Sequence, residues 1–411
     1  MISYFILLFL FSEFYSQITL PIHIKKLPKI TPFNRTSFYP DNSLRSLIEV
    51  PTESEHGFRT FVNLCLGTPS QCFDLTISTN SFYLWVSDAK SSIQESKNKY
   101  DYSLSQTVVR NMNQISYKFY NQKITGYEAS DILTFKKQDL SRINFLIIST
   151  TDRMAHMDGM IGLGYTPQKE ERKFSIIQQL FENSVIPHKV FSQKYTDEDN
   201  GFLNIGSIPK HIISDYKNYG RCDALDKIRG GQRYKNNNWE CTLEFLEINN
   251  EMIPIKENIN FLSYRKRSFV TNQVFDILGD KYLKNSCQPI HDKRYSYYLC
   301  EKDFDPGNLN ITFKKWQLSL PSNILFKIHD DGKKELILYH KDNFEKILLG
   351  RSILLNIEMV YDYANKEIGF YSPNYVKFID EFTNPIPPKI YEFLEDDTTF
   401  KPTTIIEINQ I

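Results

Sequence analysis

Residues 61–88 read FVNLCLGTPSQCFDLTISTNSFYLWVSD, and this stretch decides the fold. FVNLCLG alternates, with Val62, Leu64 and Leu66 on one face and Asn63 and Cys65 on the other. It runs into Gly67-Thr68-Pro69-Ser70, a turn sequence. CFDLTIST follows, placing Phe73, Leu75 and Ile77 on one face and Asp74, Thr76 and Ser78 on the other. Two alternating runs around a short turn predict an antiparallel hairpin. Cys65 and Cys72 flank that turn at cross-strand positions. Facing Cα atoms there lie roughly 4.5–5.5 Å apart, inside the reach of a disulfide.

Similar short strands recur outward along the chain: FLNIGS at 202–207, ECTLEFLEI at 240–248, NLNITF at 308–313, ELILYH at 335–340, IEMVYDY at 357–363 and EIGFYS at 367–372. Helical spacing is rare. The best case is FSIIQQLFENSVI at 174–186, where Phe174, Ile177, Leu180 and Phe181 fall on one face. The chain is therefore expected to be mostly β. Its 411 residues suggest two or three domains. The 30 Phe and 25 Tyr residues supply enough aromatic area for a sizeable core. Lys plus Arg and Asp plus Glu are 49 each. That balance gives no global field to favour nucleic acid, and no nucleic-acid partner is expected.

The ends differ from the middle. Residues 1–16, MISYFILLFLFSEFYS, read as a secretory signal peptide, which predicts a secreted, extracellular protein. Its n-region lacks a basic residue, and a buried N-terminal element is the alternative. No apolar run reaches 18 residues, so no membrane span is expected. Residues 17–46 carry Lys25, Lys26, Lys29, Arg35 and Arg45 against Asp41. Pro21, Pro28, Pro32 and Pro40 exclude a long helix there. From 373 to 411 the pattern dissolves into a Pro-rich and then acidic tail, expected to be mobile. Sequons at Asn34 and Asn310 make both candidate glycosylation sites. In an oxidising compartment the six cysteines predict three disulfides. By neighbourhood these are Cys65–Cys72, Cys222–Cys241 and Cys287–Cys300, among 15 possible connectivities.

Several catalytic classes are absent from the sequence. It contains no H-E-x-x-H, G-x-S-x-G or G-x-x-x-x-G-K-[ST]. The eight histidines stand at no metal-ligand spacing, and there is no C-x-x-C. No metal and no cofactor is expected. Gly162-Leu163-Gly164 is too short a signal for a nucleotide site.

One constellation is specific. Gly67, Thr68, Pro69, Gln71, Phe73, Leu84, Trp85 and Val86 match the first active-site strand and loop of pepsin-like aspartic peptidases, which the chain resembles. Further landmarks follow in order. Asp158 to Gly164 resembles D-G-I-L-G-L-G. Val190-Phe191-Ser192 and Gly201 to Gly206 follow, then Trp239 with Thr242-Leu243. Ile347 to Gly350, Val360 to Asn365 and Ile368 to Phe370 resemble the C-terminal signature. The resemblance runs from about residue 47 to 372. It implies a bilobal, mostly-β fold with a first lobe at 47–212, a second lobe at 213–372 and a cleft between them. It also makes 17–46 a propeptide-like segment, whose lysines would pair with active-site carboxylates.

The family's chemistry needs two carboxylates sharing one proton around a water, each in a D-T-G-S/T loop. Here the first loop reads Ser78-Thr79-Asn80-Ser81, with register fixed by Trp85. In NFLSYRKRSF, Ser263 takes the second position, followed by Tyr264, Arg265 and Lys266. Arg265, Lys266 and Arg267 are expected to reach solvent or acids. In the flap strand ISYKFYNQKITGYEASD, Phe119 stands where the family has tyrosine, and Tyr120-Asn121-Gln122 replaces its glycine-containing tip. Tyr117 is the alternative flap residue. Trp85, Phe119, Tyr120 and Tyr264 are candidate cleft and flap residues, with simple core packing as the other reading for Trp85 and Phe119. Asp74 and Asp88 lie off the catalytic position, and Asp330-Asp331-Gly332 reads as a hairpin turn.

Ser78 and Ser263 are thus degenerate catalytic positions. The leading expectation is a monomeric pseudopeptidase that binds a peptide or protein in its cleft. An aspartic endopeptidase with its acids elsewhere is the alternative. A structural or surface-binding protein with a cleft closed by aromatic side chains is a third.

Overall fold

The computed structural model describes residues 18–26 and 58–379, apart from 92–97, 120–121, 136, 152–157, 166–171, 197–199, 225–227, 230–231, 234–238, 249, 263–266, 285, 293–294, 343–344 and 356. The leader 1–16, Asn34, most of 17–46, Tyr120, Ser263, Tyr264 and the tail from 380 therefore lie outside the described residues.

Among the described residues, two sheets of 13 and 12 strands carry the fold, beside one detached two-stranded ladder. The first sheet opens with β1 (Ile18–Lys26), β2 (Phe58–Leu66) and β3 (Gln71–Ser78). It continues with β4 (Trp85–Ser87), β5 (Val109–Phe119), β6 (Gln122–Phe135), β7 (Gln138–Thr151) and β8 (Gly159–Gly162). β9 (Val190–Tyr195) and β10 (Asn200–Ile205) follow the short helix α1 (Ile176–Glu182). β2 and β3 form the expected hairpin, with Cys65 opposite Cys72. Phe73, Leu75 and Ile77 are buried, as the alternation requires.

A four-strand arrangement occurs twice. β3 runs parallel to β8, β8 antiparallel to β4, and β4 parallel to β7. In the second sheet, Glu251–Leu262 runs parallel to Ile347–Gly350, which is antiparallel to Ser268–Val270, itself parallel to Leu338–His340. In each copy the first strand ends opposite a glycine: Ser78 faces Gly162, and Leu262 faces Gly350. This is the two-sheet, mostly-β architecture that the resemblance implied.

Strands Tyr219–Asp223, Glu358–Asp362 and Glu367–Tyr371 join the first sheet through β9. The disulfide Cys222–Cys241 ties that group to Glu240–Ile248 of the second sheet. Cys65–Cys72 and Cys287–Cys300 each close a hairpin. Between the sheets sits Trp239, 1% exposed, with edge-on contacts to Tyr361 and Tyr363. Its indole N–H donates to the Leu163 carbonyl at 2.9 Å, pinning the two halves together.

Part of the basic segment, Ile18–Lys26, is a sheet strand. Ile18, Leu20 and Ile22 are buried and alternate with exposed Thr19, Pro21 and His23. Pro21 is tolerated because only β10 pairs there, while pairing with β2 begins at His23. The C-terminal pattern does not dissolve at 373: Val376–Phe378 pairs with Trp316–Leu318 and buries Val376. In α1 the buried face is Ile176, Ile177 and Leu180, with Ser175 as N-cap. Phe174 precedes the helix in a short 3-10 turn, and Phe181 is half-exposed. The 330–332 segment is a hairpin turn, with Gly332 at φ 83° between paired strands Phe326–Ile328 and Lys334–Leu336.

Candidate active-site groove

Ser78 closes β3 with its backbone locked in place. The Leu163 N–H donates to the Ser78 carbonyl at 2.7 Å, and the Gly164 N–H to the Ser81 carbonyl at 2.6 Å. Ser78, Thr79, Asn80 and Ser81 are all buried. Position 162 must be glycine, because a Cβ there would lie 2.5 Å from the backbone of Phe82 and Tyr83. Thr79 donates its hydroxyl to the Phe261 carbonyl at 3.3 Å. That bond brings the first loop against the strand that leads into the second loop.

In the second copy, Leu262 faces Gly350, whose N–H donates to Ser268 Oγ at 2.9 Å. Ser263 follows Leu262 directly in the chain. Arg267 is half-buried, with its guanidinium 4.2 Å from the Tyr295 ring and 4.9 Å from the Tyr339 ring. The two rings, edge-on to one another, shield an arginine's weakly hydrated planar face.

Arg351 was missed by sequence reading. It follows Gly350 directly, opens the one-turn helix Arg351–Leu354, and is only 4% exposed. Its guanidinium lies 5.8 Å from the Tyr195 ring on β9. The available signal was a charged residue immediately after the apolar run Ile347–Gly350.

β5 and β6 pair as antiparallel strands, with Phe119 opposite Gln122 and Tyr117 opposite Ile124. The bulge at Thr125/Gly126 lets β7 approach closely, since a Cβ on Gly126 would meet the Ile147 carbonyl. Trp85 is core rather than cleft wall. It is 1% exposed and packs with Ile124, Leu146, Ile148, Met160 and Phe174. Its indole N–H has no hydrogen-bond partner among the described residues.

Buried carboxylates do occur in the first unit, each committed to local structure. Asp131 accepts hydroxyl bonds from Tyr100 at 2.5 Å, Ser105 at 2.7 Å and Thr107 at 2.6 Å, and from the Ile132 N–H. Burial, then the bond to Asp131, pushes the Tyr100 phenol well above its ordinary value. Asp158 accepts from the Asn98 N–H and side-chain amide and from the Asp74 N–H. Asp88 accepts from the Lys90 N–H. Asp74 accepts from the Asn63 amide at 3.2 Å. In the second unit, burial raises the Glu257 carboxyl, against a 2.6 Å bond from Thr271.

Asn310 sits mid-strand between paired neighbours Glu247 and Ser319, with Oδ1 shielded from solvent. Among the described residues no group of three His, Cys, Asp or Glu side chains could hold a metal. No helix among them is long and apolar enough to cross a membrane.

Residues 60–372 match the family Eukaryotic aspartyl protease. Among named relatives, Vacuolar protease A of Aspergillus fumigatus is 25% identical over 199 residues, covering 46% of this chain and 50% of that protein. Renin of Rattus norvegicus is 26% identical over 169 residues, covering 37% and 40%. Cathepsin D of Mus musculus is 22% identical over 294 residues, covering 65% and 68%. The chain thus spans half or less of the length of the first two relatives.

Proposed function

Because the chain belongs to the eukaryotic aspartyl protease family, we propose that it is a secreted pseudopeptidase, keeping the family's groove to bind a peptide or protein without cleaving it. One observation carries this reading. Residues 75–87 read LTISTNSFYLWVS and residues 261–270 read FLSYRKRSFV, so neither loop holds a carboxylate. No shift of register by a residue or two brings an acid to either position. Aspartic peptidase chemistry needs one carboxylate as base and one as acid. A serine hydroxyl supplies neither near neutral pH without a base beside it. Losing such unit-acting groups costs several orders of magnitude in rate.

The relatives' names favour a second reading, hydrolysis by acids outside the two loops. Against it, Asp88, Asp131 and Asp158 are bound into their own turns and strands. Secretion is supported by the apolar leader and by three disulfides, which persist in oxidising compartments. A monomer is proposed, with residues 17–46 as a propeptide-like segment whose first strand is seated in the sheet.

The test is incubation of the purified protein with a diverse peptide library from acid to neutral pH, read by mass spectrometry beside a reference protease. Silence is the expected result. Cleavage with a defined site preference overturns the pseudopeptidase reading in favour of the second.

A further inference from the structure

Two tyrosines, two residues apart, meet opposite surroundings. Asp88 and Tyr100 form an isolated parallel bridge, and the Ala89 N–H donates to the Tyr100 carbonyl at 2.9 Å. Two residues further along both segments, that register brings Lys90 level with Tyr102. Tyr100 is fully buried and donates its hydroxyl to Asp131. Tyr102 is half-buried, and its oxygen accepts from the Lys90 ammonium at 3.0 Å in an exposed bond. Arg110, the second residue of β5, lies over the same ring, its guanidinium 3.8 Å from the centroid and 5.0 Å from the Tyr127 ring. One phenol at the surface therefore sits between two cations.

Nearby positive charge favours phenolate over phenol. The Lys90 bond, helped by Arg110 and opposed by a smaller rise from burial, holds the Tyr102 hydroxyl below its ordinary value. Tyr100 goes the other way, pushed well up by burial and then by its bond to Asp131. Lys90 in turn is raised by its bond to Tyr102, with Asp88 and Asp101 adding to the effect. An ammonium has no lone pair with which to attack an electrophile. At this pair the oxygen is the nucleophile and the nitrogen is not.

We propose that Tyr102 is a covalent modification site, taking the sulfonyl group of an aryl sulfonyl fluoride at Oη beside Lys90 and Arg110. The step is a displacement at sulfur. The phenol oxygen forms the new O–S bond, the S–F bond breaks, fluoride leaves with the electron pair, and the phenolic proton passes to water. Nothing is oxidised or reduced. Lys90 acts twice, steadying the oxygen as phenolate and offering an N–H to the departing fluoride. The site uses no residue of the groove and stands whether or not the chain cleaves peptides.

The test treats the full chain with a small aryl sulfonyl fluoride from about pH 7 to 10. Labelled peptides are followed over time by mass spectrometry. Tyr216, 39% exposed, serves as the comparator. Tyr102 is expected to be labelled at least about threefold faster, because extra phenolate outweighs the weaker nucleophilicity of a more acidic oxygen. Its rate should also reach half its maximum at a lower pH than that of Tyr216. Tyr102→Phe should remove the label from this peptide. The double variant Lys90→Met/Arg110→Met should bring Tyr102 down to the Tyr216 rate and leave Tyr216 unchanged, which shows that the fold is intact. Lys90→Arg, which keeps a cation, should retain most of the advantage. A Tyr102 rate no faster than that of Tyr216 overturns the inference. So does an advantage that survives the double variant, or a label found on the Lys90 nitrogen instead of the Tyr102 oxygen.

Discussion

Thr79 donates its hydroxyl to the carbonyl of Phe261, 3.3 Å away and 182 residues along the chain. The donor is fully buried, and the bond joins the first loop to the second sheet. Thr79→Val removes the donor of this buried bond between the sheets. Such a loss costs about 1–3 kcal/mol, a fall in Tm of roughly 2–8 °C. Calorimetry on the purified variant checks this. An unchanged Tm would show that the bond does not couple the two units.

Local pattern carried much of the fold. The alternation of Phe73, Leu75 and Ile77 and the turn at Gly67–Ser70 specify the first hairpin by themselves, and its register then places Cys65 against Cys72. The same signal existed in β1, where Ile18, Leu20 and Ile22 alternate, but Pro21 and the lysines around it masked it. Val376–Phe378 is too short to show a period, and only its partner Trp316–Leu318 makes it a strand. The crossing of Glu358–Asp362 onto β9 was invisible for a deeper reason. Any alternating strand could pair there, and the choice depends on tertiary packing around Trp239. Ser78 was legible because Trp85 fixes its register, whereas the burial of Arg351 is a property of the assembled sheets.

Asp131 is the polar knot of the first unit, fully buried and accepting three hydroxyl bonds and one backbone bond. Asp131→Asn turns part of that acceptor into a donor and orphans at least one hydroxyl. Breaking a buried charged network of this kind costs about 3–5 kcal/mol. Poor secretion, or a midpoint of denaturant unfolding well below that of the parent chain, is the expected result. An Asp131→Asn protein with parental stability would show that the knot contributes little.

Glu257 gives the chain a pH dependence of opposite sign to the usual carboxylate. Its carboxyl is raised above its ordinary 4.5, chiefly by burial, although Thr271 donates to Oε1. Oε2 is shielded from solvent, with no hydrogen-bond partner among the described residues. The folded chain therefore holds this proton more tightly than the unfolded chain. Its contribution to stability is fully present below pH 4.5 and is lost as the pH rises through the raised folded value. Glu257→Gln keeps an acceptor for Thr271 and removes the charge. It should raise Tm by roughly 1–2 °C at neutral pH, with the gain shrinking to nothing below pH 4.5. Half of the group is still in reach of water, which keeps the effect small. Thermal melts of the two proteins at pH 4 and pH 7 decide it, and a gain that is equal at both would mean that the carboxyl is not strained in the folded state.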